Sequence, residues 1–355
     1  MNKQKIHLDI FGIPILNNKT ISLSERFMFP PFSVLNAREG AWQDRKRLWL
    51  KLGIQSEVGR NAPIGGSPMP LDRKGNRRSD WRKVAKIYGV TGQNPTVGIY
   101  AKDGKRLVGL KRKGRNNEYL ENEKFIGDSG TSIFDPVLSE LMYHWFCPPG
   151  GMILDPFAGG SVRGIVAAKL GLRYHGIELR PEQIQANENQ KKLIIPDGSV
   201  KWVCGDCRDH LKDSPKVDLV FTCPPYGSLE KYSDNPKDLS TMDYPNFVIS
   251  LSNILKACYE RLKDNRFACL VVGDFRDKKT GAYNGFVADT IICAQEAGFG
   301  LYNEMILITA TGSLPLRVLK QFEGSRKLGK THQNVLVFLK GDPKKAAEAI
   351  NRVSK

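Results

Sequence analysis

From residue 152 onward, hydrophobic and polar positions follow two alternating periods. Short apolar runs at 152–157, 174–179, 201–205, 217–223, 266–273, 302–309 and 334–340 read as buried strands. Between them, apolar residues recur every three to four positions at 161–170, 181–192, 243–263 and 283–297, the period of helices. Gly171 is placed to end the first of these helices and Pro181 to begin the second. Strands interleaved with helices predict an α/β fold, a doubly wound and mostly parallel seven-stranded sheet. Only the Gly/Arg/Lys-rich span 312–333 separates the last two strands, which suits an antiparallel pair. Upstream, residues 131–150 read as a loop entering a helix, with Asp135 as cap, Pro136 in the first turn, and Leu138, Leu141, Met142 and Trp145 on its apolar face.

The pattern weakens before residue 126, so the expected organisation is a basic N-terminal extension over 1–125, an α/β domain over 126–345 and a tail over 346–355. In residues 30–50, Trp42 and Trp49 stand among basic residues; they suit stacking on nucleic-acid bases or, equally, a short helix docked on the core. Residues 57–80 have the Gly, Pro, Arg, Asn and Ser content of a loop or linker. From Leu71 to Arg115, fourteen Lys or Arg stand against three Asp, a large share of the surplus behind a formal net charge of +17. That block reads as a phosphate-contacting arm or as a solvated basic face, and the net charge points to a polyanionic partner. The chain has no run near 18 apolar residues and no apolar leader, so no membrane is expected as partner and the expected location is cytoplasmic. Of the seven cysteines, Cys204 and Cys207 form one C-x-x-C with His210 near, too sparse a set to predict a metal.

Two stretches carry candidate chemistry. Ile153 to Gly160 reads I-L-D-P-F-A-G-G, a strand turning into a helix through small residues that let a ligand approach the backbone. Glu178 ends the next strand, nineteen positions after Gly159, where a carboxylate can accept both hydroxyls of a ribose. Asp155 adds a carboxylate suited to an ammonium group and hostile to a pyrophosphate, which favours a sulfonium cofactor with an amino-acid end over a nicotinamide dinucleotide. The second stretch, V-F-T-C-P-P-Y-G at 220–227, is stiffened by two prolines that cannot donate N–H groups, and Tyr226 can stack on a base.

Together the two stretches resemble the S-adenosylmethionine-binding and catalytic motifs of the DNA amino-methyltransferases, which methylate the exocyclic amine of cytosine (N4) or adenine (N6). The resemblance implies a Rossmann-like fold, S-adenosyl-L-methionine as cofactor, and direct methyl transfer to a flipped-out base in double-stranded DNA. It implies a cofactor site of Asp155, Pro156, Phe157 and Gly159, with Glu178 on the ribose and Asp206 on the adenine amine. Phe134 and Asp135, in F-D-P-V-L-S, would line the methionine end. Asp206 and Asp135 also fit plain capping roles. Cys223, Pro224, Pro225 and Tyr226 would be catalytic. Residues 227–243, with Tyr232, Lys231 and Tyr244, would lie beside Tyr226 as a lid or as a contact to the target base, and His332 suits a place near the base or, equally, a surface or packing role.

Two positions depart from the family pattern. Ser161 stands where the last glycine of the cofactor motif falls, and Cys223 replaces the Asp, Asn or Ser whose oxygen accepts from the target amine. T-C-P-P-Y is nearer the T-S-P-P-Y form associated with cytosine N4. Three alternatives stay open: an RNA amino-methyltransferase, a cytosine-5 methyltransferase using the Cys223 thiolate, and an inactive DNA-binding relative. A cognate restriction endonuclease and a prokaryotic or viral source go with the resemblance. Target reading is expected from residues 31–120 or from 275–332.

Overall fold

The computed structural model describes residues 7–8, 11, 14–15, 22–38, 40–54, 99–100, 106–107, 134–195, 198–229, 232–311 and 314–351. The linker at 57–80, nearly all of the basic block at 71–115, and Lys231 lie outside the described residues.

The strands of the main sheet are β1 (Val34–Asn36), β2 (Met152–Asp155), β3 (Arg173–Glu178), β4 (Val200–Cys204), β5 (Val217–Thr222), β6 (Leu262–Val272), β7 (Gly300–Ile308) and β8 (His332–Lys340). Their order is β1-β7-β8-β6-β5-β2-β3-β4. All neighbours are parallel except β8, which runs antiparallel to both β6 and β7. The sheet is thus doubly wound and mostly parallel, with eight strands where the sequence predicts seven. The extra strand, β1, is three residues long, too short for any hydrophobic period to reveal it, and it pairs parallel with the end of β7.

The α-helices of the described residues are α1 (Leu23–Phe27), α2 (Ala41–Lys51), α3 (Pro136–Phe146), α4 (Val162–Lys169), α5 (Pro181–Ile194), α6 (Cys207–His210), α7 (Tyr244–Arg261), α8 (Phe286–Glu296), α9 (Leu314–Ser325) and α10 (Pro343–Asn351). Both faces of the sheet are covered, and successive strand residues divide between two cores. Ile153, Leu219, Phe221 and Cys269 join the core that includes α3 and α4, whereas Leu154, Val220, Ala268 and Leu270 join that of α7 and α8. Burial on both faces explains why these strands read as continuous apolar runs rather than alternating ones.

Helix α2 decides between the two readings of Trp42 and Trp49. Both indoles are buried, so neither is available to stack on a base. Trp49 Nε1 donates to Glu140 of α3 at 2.7 Å, and Trp42 Nε1 to Asp135 at 3.3 Å. Helix α9 was not legible in the span 312–333, whose Lys, Arg and Gly content masks its apolar positions. Among the described residues no helix is long and apolar enough to cross a membrane.

Candidate active site

Strand β2 has β3 on one side and β5 on the other, so the chain reverses its direction of travel across the sheet at that point. Ligands of open α/β sheets bind at the carboxyl edge beside such a reversal. A pocket of about 460 Å³ opens there, and it is walled by the segments following β2, β3, β4 and β5. Its size is within the range of about 300–1,000 Å³ usual for small-molecule sites.

Eleven of the twelve predicted site residues line this one pocket: Phe134, Asp135, Pro156, Phe157, Gly159, Glu178, Asp206, Cys223, Pro224, Pro225 and Tyr226. Asp155 is the exception, and it corrects the expectation that its carboxylate is offered to an ammonium group. It is fully buried and accepts from Arg163 Nε, the Tyr174 hydroxyl at 2.6 Å, the Thr222 hydroxyl at 2.6 Å and the Phe157 N–H at 3.2 Å. Arg163 also donates to the carbonyls of Phe157 and Ala158. Asp155 and Arg163 therefore knit β2, β3, β5 and α4 together beneath the turn.

The turn itself passes through Gly159 at φ +52°, a conformation that costs glycine little. Glu178 accepts the Gly159 N–H at 2.9 Å and the Arg180 N–H at 3.1 Å. Asn187 of α5 donates to the Gly159 carbonyl at 2.8 Å. Burial pushes the Glu178 carboxyl above the usual glutamate range, ahead of the opposing pull of Arg180 and the two N–H donors. The N–H that a pyrophosphate would need is already committed to a carboxylate, so the turn is not an anion site. That geometry disfavours a nicotinamide dinucleotide, and Glu178 lines the pocket.

Asp206 caps α6, accepting from Arg208 N at 2.9 Å and from the Arg208 guanidinium. Arg208 also donates to the Lys237 carbonyl, which ties the segment 232–239 over this end of the pocket. Tyr232, Lys237, Asp238 and Leu239 line it. Tyr244 does not; its hydroxyl donates to Asp289 at 2.6 Å and its ring stacks on Phe247. Of the C-x-x-C pair, Cys204 is exposed and Cys207 is packed in the core.

At the other end, Asp135 caps α3 by accepting from Val137 N and Leu138 N, and its second oxygen accepts from Lys46 Nζ at 3.1 Å. Gln43 and Lys46 of α2 thus enter the pocket wall, from a region that no motif marked. Beyond β5, the Tyr226 ring lies 6.0 Å from that of Phe286, and its hydroxyl is 3.9 Å from Cys223 Sγ. Gln333 donates to that hydroxyl at 2.6 Å and lines the pocket, whereas His332, its neighbour, does not. The span 311–332 leaves the pocket wall at Ala310 and returns at Gln333, carrying five Lys or Arg against one Glu.

The fold is Rossmann-like, and the two family models that match the chain are both of methyltransferases. Residues 217–355 match the family model of the N6/N4 DNA methylases, the family the motifs resemble, and residues 150–263 match that of the RNA cap guanine-N2 methyltransferases. The matches to two methyltransferase families support S-adenosylmethionine as the cofactor. No curated protein matches the sequence. Among solved structures, TrmN from Thermus thermophilus superposes with a TM-score of 0.40 at 15% identity, over 58% of this chain and 49% of that one. SMU.776, a putative methyltransferase complexed with SAH, gives 0.41 at 15% identity over 58% and 50%, so this chain spans about half the length of each. A methyltransferase from Pyrococcus furiosus gives 0.38 at 13% identity, over 59% and 84%.

Proposed function

We propose that this chain methylates the exocyclic amine of a cytosine or adenine in DNA, with the base drawn out of the helix into the pocket. The observation that carries the reading is the meeting of Glu178 and the C-P-P-Y turn in one pocket, because a ribose acceptor and a base-holding turn are then within one ligand-sized space. When bound, S-adenosylmethionine supplies an electrophilic methyl: the amine nitrogen bonds to its carbon, the C–S electron pair stays on sulfur, and the amine loses one proton to water.

The residues divide that work. Glu178 accepts from the ribose, using lone pairs not taken by Gly159 and Arg180. Asp206 faces the adenine end. The Lys46–Asp135 pair offers a cation and an anion to the carboxylate and ammonium of the methionine end, a role for Asp135 that does not need Asp155. Tyr226 stacks on the base and the Pro224 carbonyl accepts from the amine, concentrating electron density on nitrogen as it attacks. Residues 34–54 belong with the catalytic unit, and the basic span within 275–332 contacts the phosphates.

A second reading, methylation of an exocyclic amine in RNA, is favoured by the match of residues 150–263 to an RNA methyltransferase family. One experiment separates them: incubation with methyl-labelled S-adenosylmethionine and either duplex DNA or RNA, then nucleoside digestion and chromatography, beside Cys223→Ser. Label in N4-methylcytosine or N6-methyladenine of the duplex DNA is the expected result, and label in RNA alone would replace it by the second reading. Label in 5-methylcytosine that disappears with Cys223→Ser would replace amine methylation by the covalent route.

A further inference from the structure

The turn after β5 has a sulfur where amine chemistry asks for an oxygen. A thiol is a weak acceptor, so Cys223 leaves one N–H of an exocyclic amine without a side-chain partner. The structure brings a carboxamide to the same place from the far side of the sheet. Because β8 is antiparallel to its neighbours, its first residues rather than its last border the carboxyl ends of β5 and β6. Gln333 is therefore delivered next to the C-P-P-Y turn. It pairs with Leu307 across the ladder, and both line the pocket.

The amide of Gln333 is placed with its nitrogen toward Tyr226. Gln333 Nε2 donates to the Tyr226 hydroxyl at 2.6 Å, and that hydroxyl is 3.9 Å from Cys223 Sγ. With the nitrogen held by the tyrosine, the carbonyl oxygen is the end left for a ligand, and no side-chain donor among the described residues bonds to it. Burial, with Cys223 beside it, holds the Tyr226 hydroxyl well above the usual tyrosine range, so it stays neutral and acts as a fixed strut for the amide.

We propose that Gln333 is a catalytic residue whose carboxamide oxygen accepts one N–H of the target amine, replacing the side-chain oxygen that Cys223 lacks, while the Pro224 carbonyl accepts the other. This rests on the reading of the substrate as an exocyclic amine. An amide oxygen orients the amine and concentrates its lone pair; it does not keep the proton, which passes to water.

The test compares wild type, Gln333→Met, Cys223→Asn and the double variant, by initial rates with saturating labelled S-adenosylmethionine and by calorimetric titration of S-adenosylhomocysteine. Loss of one preorganised hydrogen-bonding group at a reacting centre costs on the order of 100-fold, so Gln333→Met is expected to lower kcat by about that factor. Its S-adenosylhomocysteine affinity should stay within about twofold of wild type, showing an intact fold. Cys223→Asn restores an oxygen on the turn, and the double variant is expected to recover at least about tenfold over Gln333→Met. Full activity of Gln333→Met overturns the proposal, as does a loss that Cys223→Asn cannot rescue, since that is the signature of a glutamine that only props Tyr226. If wild type transfers no label to an amine of DNA or RNA, the substrate reading fails and takes this role with it.

Discussion

The Gly159 N–H donates to the Glu178 carboxylate at 2.9 Å, so the residue we propose to accept a ribose also sets the shape of the turn after β2. One side chain holds the backbone and faces the ligand, and the two roles respond differently to substitution. Glu178→Gln keeps one carbonyl oxygen for Gly159 but loses the charge, whereas Glu178→Ala releases the turn. Charge-assisted hydrogen bonds contribute about 1.5–3 kcal/mol each, so Glu178→Ala should weaken S-adenosylhomocysteine binding by at least tenfold, with Glu178→Gln between it and wild type. Calorimetric titration reads the order directly.

The same carboxyl predicts two opposite pH trends. Its pKa in the folded chain is raised by burial, so the native state holds a proton over a window in which the unfolded chain has released it. The contribution of Glu178 to the stability of the ligand-free protein is present below the unfolded pKa and is lost as pH rises through the folded pKa. Ligand affinity goes the other way, because a ribose acceptor works best ionised. Across that window, lowering the pH should stabilise the free protein and weaken S-adenosylhomocysteine binding, and Glu178→Gln should flatten both trends relative to wild type.

Lys46 lies on the pocket wall 3.1 Å from Asp135, both only partly exposed. If the pair meets the amino-acid end of the cofactor, Lys46→Met removes the partner of the carboxylate alone. The pair is near solvent, so the effect is moderate, up to about fivefold weaker S-adenosylhomocysteine binding. Affinity for methylthioadenosine, which has no amino-acid end, should not change. Equal loss for both ligands would place Lys46 outside the methionine end.

The parts of this site legible in the sequence are those that backbone geometry dictates. A glycine turn after a strand, an acid at the next strand end and a proline-stiffened turn each leave a local mark, and Gly159, Glu178 and Pro224 all line the pocket. Contributions that depend on distant packing left none. Lys46 and Gln43 reach the pocket because Trp42 and Trp49 bury themselves against α3, ninety residues away in sequence, and the same tryptophans fit base stacking equally well on pattern alone. Gln333 matters because β8 runs antiparallel, a topological fact absent from its own surroundings. For Asp155 the converse holds: the motif marks its position, but Arg163, Tyr174 and Thr222 come from three other elements to enclose it.

The dock of α2 on α3 centres on Glu140, which is buried and accepts from the Arg45 guanidinium and from Trp49 Nε1 at 2.7 Å. Removing one partner of a buried ion pair leaves an uncompensated charge, so Arg45→Met should destabilise the fold by about 3 kcal/mol. Glu140→Gln added to it removes the charge yet leaves an oxygen for Trp49, and the double variant should regain most of the loss. Urea unfolding midpoints measure this. Because α2 carries Lys46, S-adenosylhomocysteine affinity should fall and recover in step with stability.

The span 311–332, which we propose contacts the nucleic acid, departs from the pocket at Ala310 and returns at Gln333. Arg317, Lys320 and Arg326 are exposed on it, and Phe322 and Leu328 are exposed beside them. Each phosphate contact on duplex DNA contributes about 0.9 to the slope of log affinity against log salt, and about 0.7 on a single strand. Replacing all three basic residues by alanine should therefore raise KM for the nucleic acid and make that slope shallower by up to about 2.7 on duplex DNA. S-adenosylhomocysteine binding should not change, because none of the three lines the pocket. A slope unaltered by the triple variant would put the phosphate contacts elsewhere in the chain, with the basic block between Leu71 and Arg115 as the next segment to neutralise.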